Sequence, residues 1–348
     1  MEALKKPNNI KIHFIIGSGR SGTTLLSYIL NNHENCVSTP ETKHLLFFYK
    51  KYHAISKVNQ KLIDDLKHYF SIMLQSEGVV DYQKYLKIEP YFKLGEKITY
   101  FELCCKIYLA FANQKDLNKV TCIIDKNPSY TIQVDKLNGI LPDAKYLCLI
   151  RDYRGFVLSN IESPEPYAKH LPIQYHSLVW VFYNKLIFDI KKKYGDKIMV
   201  LSYEELVSNK EKALLDICNF FNLKYTTDLF NYQDKIYLEK EPTQKDERLL
   251  SKRNTLEKPI NANRLDAWKG VFTSFQLKTI EFWCSKIGTN FNYKTTIKVN
   301  LFESIAILFI SFPYYIRVWA YFKLKSTKLF VLSNEVRKAK YFNSINKK

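Results

Sequence analysis

The sequence predicts an α/β protein: a P-loop-type parallel β-sheet flanked by helices, with an apolar and basic helical extension at its C-terminal end. Three observations lead there. Four short apolar runs, 12–16, 121–124, 145–150 and 197–202, have the length and composition of buried parallel strands. Helical patterns separate them, amphipathic at 58–75 and 98–113 and aromatic-rich at 174–193; strands alternating with helices build a sheet covered on both faces. The first run ends in Gly17-Ser-Gly-Arg-Ser-Gly22-Thr-Thr24 and passes at once into a helix-like stretch, Leu25 to Leu30. Strand, glycine turn and helix start in series make a cradle for a phosphate-like anion.

Taken in order, the glycine turn is the first element with chemistry in it. Glycine lets the backbone fold tightly, and the unpaired N–H groups of the helix start then face an anion. The hydroxyls of Ser21, Thr23 and Thr24 add donors, and Arg20 adds charge. The Gly17 to Gly22 spacing fits a P-loop, but Thr23 stands where a nucleotide kinase carries lysine. That lysine reaches the outer phosphates of ATP, so a loop without it suits a different phosphoanion. In parallel sheets ligands sit beyond the carboxyl ends of the strands. There the sequence places Asp125-Lys126-Asn127-Pro128 after the second run, Arg151-Asp152 after the third and Tyr203-Glu204-Glu205 after the fourth.

Residues 235–262 are charged and poor in strand formers, and read as a long loop able to cover a site. From about 298 the character changes. Residues 301–324 are densely apolar and aromatic, interrupted by Glu303, Pro313, Arg317 and Lys323. The uninterrupted part, Ser304 to Ile316, is too short to span a bilayer. Two readings stay open: an interfacial amphipathic segment in peripheral membrane contact, and a helix pair packed on the domain. The expected division is a main domain over 1–297 and an extension over 298–348.

The formal net charge of +19 points to anionic substrates, nucleic acid or anionic membrane, with compositional bias toward lysine as the plain alternative. The chain carries no RNA- or DNA-binding motif, so nucleic acid is not an expected partner. Seven scattered cysteines without a CxxC pair suit neither zinc nor redox work. In apolar runs thiols behave as small hydrophobes, and a reducing cytoplasm fits them. The N-terminal residues before the first strand read as neither signal peptide nor anchor. The expected location is therefore cytoplasmic, with peripheral contact at the inner membrane face if the extension binds lipid. Oligomeric state is not legible.

The strand-end residues together resemble the sulfotransferase superfamily, enzymes that use 3′-phosphoadenosine 5′-phosphosulfate (PAPS). Gly17-Ser-Gly-Arg20-Ser-Gly-Thr-Thr looks like that family's 5′-phosphosulfate loop, and Leu149-Ile-Arg151-Asp-Tyr-Arg154-Gly-Phe-Val-Leu-Ser159 looks like its 3′-phosphate motif. In the latter, Tyr153 replaces the usual proline and Gly155 the second aspartate, while the arginine and serine remain eight residues apart. Pro40-Glu41-Thr42-Lys43 is similar to a stretch of the tyrosylprotein sulfotransferases and related bacterial enzymes. Ser251-Lys252 and Lys258-Pro259-Ile260-Asn261, before Trp268, resemble a cofactor-binding lid. The likeness covers roughly 12–290.

The resemblance implies metal-free transfer of a sulfuryl group from PAPS to an acceptor hydroxyl or amine, with positioned donors holding the developing charge. It implies Arg20 and the amides of Ser21, Gly22, Thr23 and Thr24 at the 5′-phosphosulfate, Arg151 and Ser159 at the 3′-phosphate, and Tyr203, Ser251 and Lys258 elsewhere on the nucleotide. Glu41 is the expected general base and Lys126 the cation near the leaving oxygen. Each has a plainer reading: Arg20 and Lys126 as solvated cations, Arg151 as a helix-start residue, Glu41 as a helix-capping acid, Tyr203 as core. His44 is a rival base, His33, His170 and His176 read as structural, and Arg154 as a surface partner of Asp152. The acceptor reads as a carbohydrate, a lipid-linked sugar or a small metabolite. Two other functions are weighed: a P-loop kinase of a small metabolite, and a non-catalytic basic protein binding membrane or nucleic acid.

Overall fold

The computed structural model describes residues 9–39, 41–77, 91–112, 115–163, 170–235, 260 and 262–325. Ser251, Lys258 and nearly all of the expected covering loop lie outside the described residues.

Strands β1 (Lys11–Gly17), β3 (Cys122–Lys126), β4 (Tyr146–Ile150) and β5 (Ile198–Ser202) coincide with the four apolar runs. A further strand, β2 (Cys36–Thr39), was not expected. It is four residues long, too short for its periodicity to show, yet all four are buried. The sheet is parallel throughout, in the order β2-β3-β1-β4-β5. A parallel sheet brings every carboxyl end to one edge, so the residues after the strands share a rim in that same order.

Alternate residues of β1 serve opposite faces. Phe14 and Ile16 join a core with Leu45 and Phe48 of α2 (His44–Tyr52), Leu62 of α3 (Gln60–Glu77) and Tyr108 of α4 (Tyr100–Leu109). Ile15 joins another with Leu26, Ile29 and Leu30 of α1 (Thr23–Asn31). After α5 (Val134–Ile140), helix α6 (Tyr153–Ile161) opens with the Asp152 side chain accepting from the Arg154 N–H. It packs with α7 (Ile173–Tyr194) and α10 (Ser274–Gly288) in a third cluster around Trp180. Short helices α8 (Tyr203–Ser208) and α9 (Lys210–Phe221) follow β5. All seven cysteines are buried free thiols.

The C-terminal apolar segment is one helix, α11 (Leu301–Lys325), running through Pro313, and not a helix pair. One stripe of it packs on the domain: Ile307, Ser311 and Val318 are buried, and the Trp283 indole donates to Ser311 at 3.0 Å. Phe322 meets Phe182 and Tyr183 of α7 at ring distances of 5.2 and 4.9 Å, and Lys278 pairs with Glu303.

One buried group makes the fold sensitive to acid. His13 on β1 stacks on Phe221 and accepts from the Lys145 N–H at 3.1 Å. Burial, then the charges of Lys145 and Lys11, lower its pKa to about 4. Its folded pKa lies below the unfolded value of 6.5, so its contribution is present above that value and is lost as pH falls toward about 4. Between pH 7.5 and 5 the wild type is expected to lose about 2 kcal/mol relative to His13→Gln, read by urea denaturation. An unchanged difference between the two would mean that His13 ionises freely in the folded protein.

Candidate active site

The turn after β1 is fixed from both sides. Gly17 has φ +145°, and a Cβ there would stand 2.4 Å from the Leu149 carbonyl oxygen of the neighbouring strand. The Thr131 hydroxyl accepts the Gly17 N–H at 2.9 Å and turns its own proton toward the carbonyls of Gly17 and Pro128, 3.0 and 2.8 Å away. The Ser18 and Ser21 hydroxyls share a 2.8 Å bond. Helix α1 starts at Thr23, two residues earlier than expected, and its N-cap Gly22 is left-handed with no side-chain cap. Its first-turn amides therefore face the turn without a capping oxygen, as an anion site requires.

Arg151, directly after β4, reaches across to this turn. Its guanidinium donates to the Arg20 carbonyl and to the Arg264 carbonyl, each at 3.3 Å, and lies over the Tyr203 ring at 4.6 Å. Those two bonds use two of its five donors. The Arg20 side chain in turn donates to the Ser159 hydroxyl at 3.2 Å. Arg20, Arg151, Ser159 and the glycine turn thus occupy one place, two helical turns of α6 bringing Ser159 round to Arg151. Tyr203 closes over the turn, because a Cβ on Gly22 would meet its ring at 2.8 Å. Burial pulls the Arg151 pKa down, against the opposing influence of Tyr203 and Glu204. A desolvated cation with donors to spare is stabilised by an arriving anion.

On the other side of the turn, Glu41 after β2 and Lys126 at the end of β3 form an ion pair, Nζ to Oε1 3.0 Å. The lysine side chain is 9% exposed and the glutamate 34%. Glu41 does not cap α2, whose N-cap is the left-handed Lys43. Asp125 beneath the pair is fully buried and accepts from the Tyr108 hydroxyl at 2.6 Å. Burial pushes its pKa up to about 7, against the pull of the Tyr108 bond, Lys126 and Lys43. His44, the rival base, is wholly buried beside Tyr108 and bonded to the Thr42 hydroxyl at 2.9 Å. Burial lowers its pKa to about 3, leaving a neutral ring with no exposed edge. His33 is bonded through both ring nitrogens and His176 is buried, whereas His170 is exposed.

Arg154 is not at the surface. It is 5% exposed, pairs with Asp152 and Glu281, and lies over the Trp268 ring at 4.3 Å. Its place two residues into a helix behind a capping aspartate hid this, since the acid that buries it, Glu281, is far along the chain. Three positioning groups also escaped the sequence: Thr131, Trp180, whose indole donates to the Arg151 carbonyl at 2.9 Å, and the Arg264 carbonyl. Only Thr131 left a signal, three residues past Asn127-Pro128.

The Sulfotransferase family matches residues 13–227, and the chain belongs to that family. Two curated relatives are named "Putative protein-tyrosine sulfotransferase": one from Caenorhabditis elegans, 26% identical over 50% of this chain and 66% of its own length, and one from Caenorhabditis briggsae, 24% identical over 46% and 56%. The matched segments span just over half to two thirds of those relatives. The sulfotransferase domain of the Synechococcus PCC 7002 olefin synthase shares the fold, with TM-score 0.52 and 21% identity over 84% of this chain and 99% of its own. So does the sulfotransferase domain from the curacin biosynthetic pathway, with TM-score 0.53 and 18% identity over 82% and 99%.

Two outcomes follow from this geometry. Gly17→Ala forces a methyl into a carbonyl at a strained φ, and is expected to cost about 3 kcal/mol in urea denaturation. A loss below about 1 kcal/mol would show that the turn can shift. Asp125 has a folded pKa above its unfolded one, so the fold loses stability as pH rises through the interval from 3.8 to about 7. Asp125→Asn is therefore expected to gain about 2 kcal/mol on the wild type between pH 5 and 7.5, opposite in sign to the histidine effect.

Proposed function

We propose that this protein is a sulfotransferase moving a sulfuryl group from PAPS to an acceptor hydroxyl or amine, working in a reducing cytoplasm. The observation that carries the reading is the bond from Arg151 to the Arg20 carbonyl, with Arg20 bonded to Ser159. It joins the two donor clusters that a nucleotide phosphorylated at both its 3′ and 5′ positions would bridge. The uncapped start of α1 and the buried, under-used guanidinium fit such a polyanion.

PAPS, when bound, supplies a sulfuryl group already attached to a phosphate leaving group. Arg20 and the amides of Ser21, Gly22, Thr23 and Thr24 hold the 5′ oxygens, and Arg151 and Ser159 hold the 3′-phosphate. Tyr203 packs beneath Arg151 and keeps its plane fixed. Glu41 takes the proton from the acceptor oxygen as the new oxygen–sulfur bond forms and the bond from sulfur to the phosphate oxygen breaks. Lys126 stands beside Glu41 to balance the charge that passes to that phosphate oxygen. The acceptor belongs to carbohydrates, lipid-linked sugars or small metabolites.

Calorimetry with 3′-phosphoadenosine 5′-phosphate (PAP) tests this directly. PAP is expected to bind, and Arg151→Ala to weaken it by about 100-fold. Glu41→Gln is expected to keep PAP binding while losing transfer of labelled sulfate from PAPS into a cell extract. Binding of ATP–magnesium without binding of PAP would overturn the reading in favour of a kinase.

A further inference from the structure

Helix α11 carries most of the apolar surface that the described residues expose. Of their 16 large exposed hydrophobic side chains, 11 lie on this one helix. Phe302 and Phe309 are 83 and 84% exposed, and Leu301, Ile305 and Phe312 more than half. A continuous apolar patch of this kind marks a surface that meets something other than water. The helix is long and apolar enough to cross a membrane by length and composition. However, its Ile307–Ser311–Val318 stripe is packed on the domain, with Trp283 bonded to Ser311 and Phe322 against Tyr183. A helix tethered along its length lies beside a bilayer instead of crossing it.

Charge selects the occupant. Residues 298–348 hold ten lysines and arginines against two glutamates. Within α11, Arg317 lies over Tyr175 at 5.2 Å and Lys323 over Trp319 at 4.8 Å, exposed cations set beside amphipathic aromatics. Aromatic rings with one wet edge and lysine or arginine beside them are the usual lining of a headgroup boundary. A second copy of the chain would bring the same positive charge against itself, whereas an anionic lipid surface attracts it.

We propose that α11 seats the protein side-on against an anionic lipid bilayer, its exposed phenylalanines and leucines sunk below the headgroups. The candidate site adjoins this surface. Phe322 of α11 packs on Tyr183 of α7, and one turn earlier on that helix Trp180 donates to the carbonyl of Arg151 at 2.9 Å. The acceptor is accordingly a hydroxyl borne by a membrane lipid; this second half rests on the sulfuryl-transfer reading, and the docking half does not.

Flotation of the full chain with phosphatidylcholine vesicles, with and without phosphatidylglycerol, separates the possibilities. The protein is expected to float with the anionic vesicles and to be released by rising salt. Phe302→Glu with Phe309→Glu is expected to reduce binding at least about tenfold while leaving PAP affinity and the thermal midpoint unchanged. Phe302→Ser with Phe309→Ser, adding no charge, is expected to give a smaller loss of the same sign. No flotation with either vesicle, wild-type flotation of both variants, or a dimer in light scattering that the glutamate variant dissolves would each overturn the docking. For the acceptor, label from PAPS is expected in the organic phase of a membrane extract, and less of it with the glutamate variant. Label confined to the aqueous phase would refute a lipid acceptor while leaving sulfuryl transfer standing, and absence of PAP binding would remove sulfuryl transfer while leaving the docking standing.

Discussion

A guanidinium 7% exposed, bonded among the described residues to two carbonyls and set over a ring face, is the constraint on which this architecture turns. Burying a cation without a matching anion is unfavourable, and among the described residues Arg151 has no carboxylate as a hydrogen-bond partner. The surroundings make the position tolerable. Trp180 fixes the Arg151 carbonyl from α7, Tyr203 supplies a ring face from the end of β5, and the Arg20 carbonyl supplies an acceptor from the glycine turn. Each contact comes from a different strand or helix, so the arginine is held by the tertiary fold and not by its own segment.

The sheet order explains how a linear set of charges arises from scattered sequence. Along the carboxyl rim from β2 to β5 stand Glu41, Lys126, the glycine turn, Arg151 and Tyr203. The acid and the lysine pair on one side of the turn, and the cations gather on the other. An anion seated in the turn would have positive charge on both flanks, with a carboxylate just beyond one of them. That asymmetry is what an in-line transfer with proton removal needs. It follows from parallel pairing alone, because only a parallel sheet brings all five strand exits to the same edge.

The sequence showed four of the five strands, the turn and the rim residues because each carries a local signature: an apolar run, a glycine spacing, a charge directly after a strand. It hid what depends on partners distant in the chain. β2 has only four residues and is recognisable through its pairing with β3, from Cys36 opposite Cys122 to Thr39 opposite Asp125. Arg154 reads as a surface cation until Glu281 is seen to lie against it. Thr131 reads as an ordinary hydroxyl until the turn of β1 is folded onto it. The apolar tail announced its composition but not its geometry, since Pro313 suggested a break that a single helix absorbs. One side of this single helix packs against α7 through Phe322, and its other faces stay exposed.

The two departures from the arginine motif of the family have a common physical account. Gly155 stands where an aspartate is usual, and a Cβ there would lie 3.1 Å from the Arg151 Nε. Without a side chain at 155, the guanidinium can lie flat against the start of α6 and still reach the turn. Tyr153 stands where proline is usual, and its bulk is accommodated elsewhere: a Cβ on Gly288 would meet its ring at 2.8 Å. Its hydroxyl donates to Glu281 at 2.6 Å, a buried carboxylate that also accepts from Arg154 and twice from Thr296. Proline would have fixed the start of α6 by its ring; here a buried hydrogen-bond network to α10 fixes it instead. The replacements therefore form matched sets, Gly155 with Arg151 and Gly288 with Tyr153.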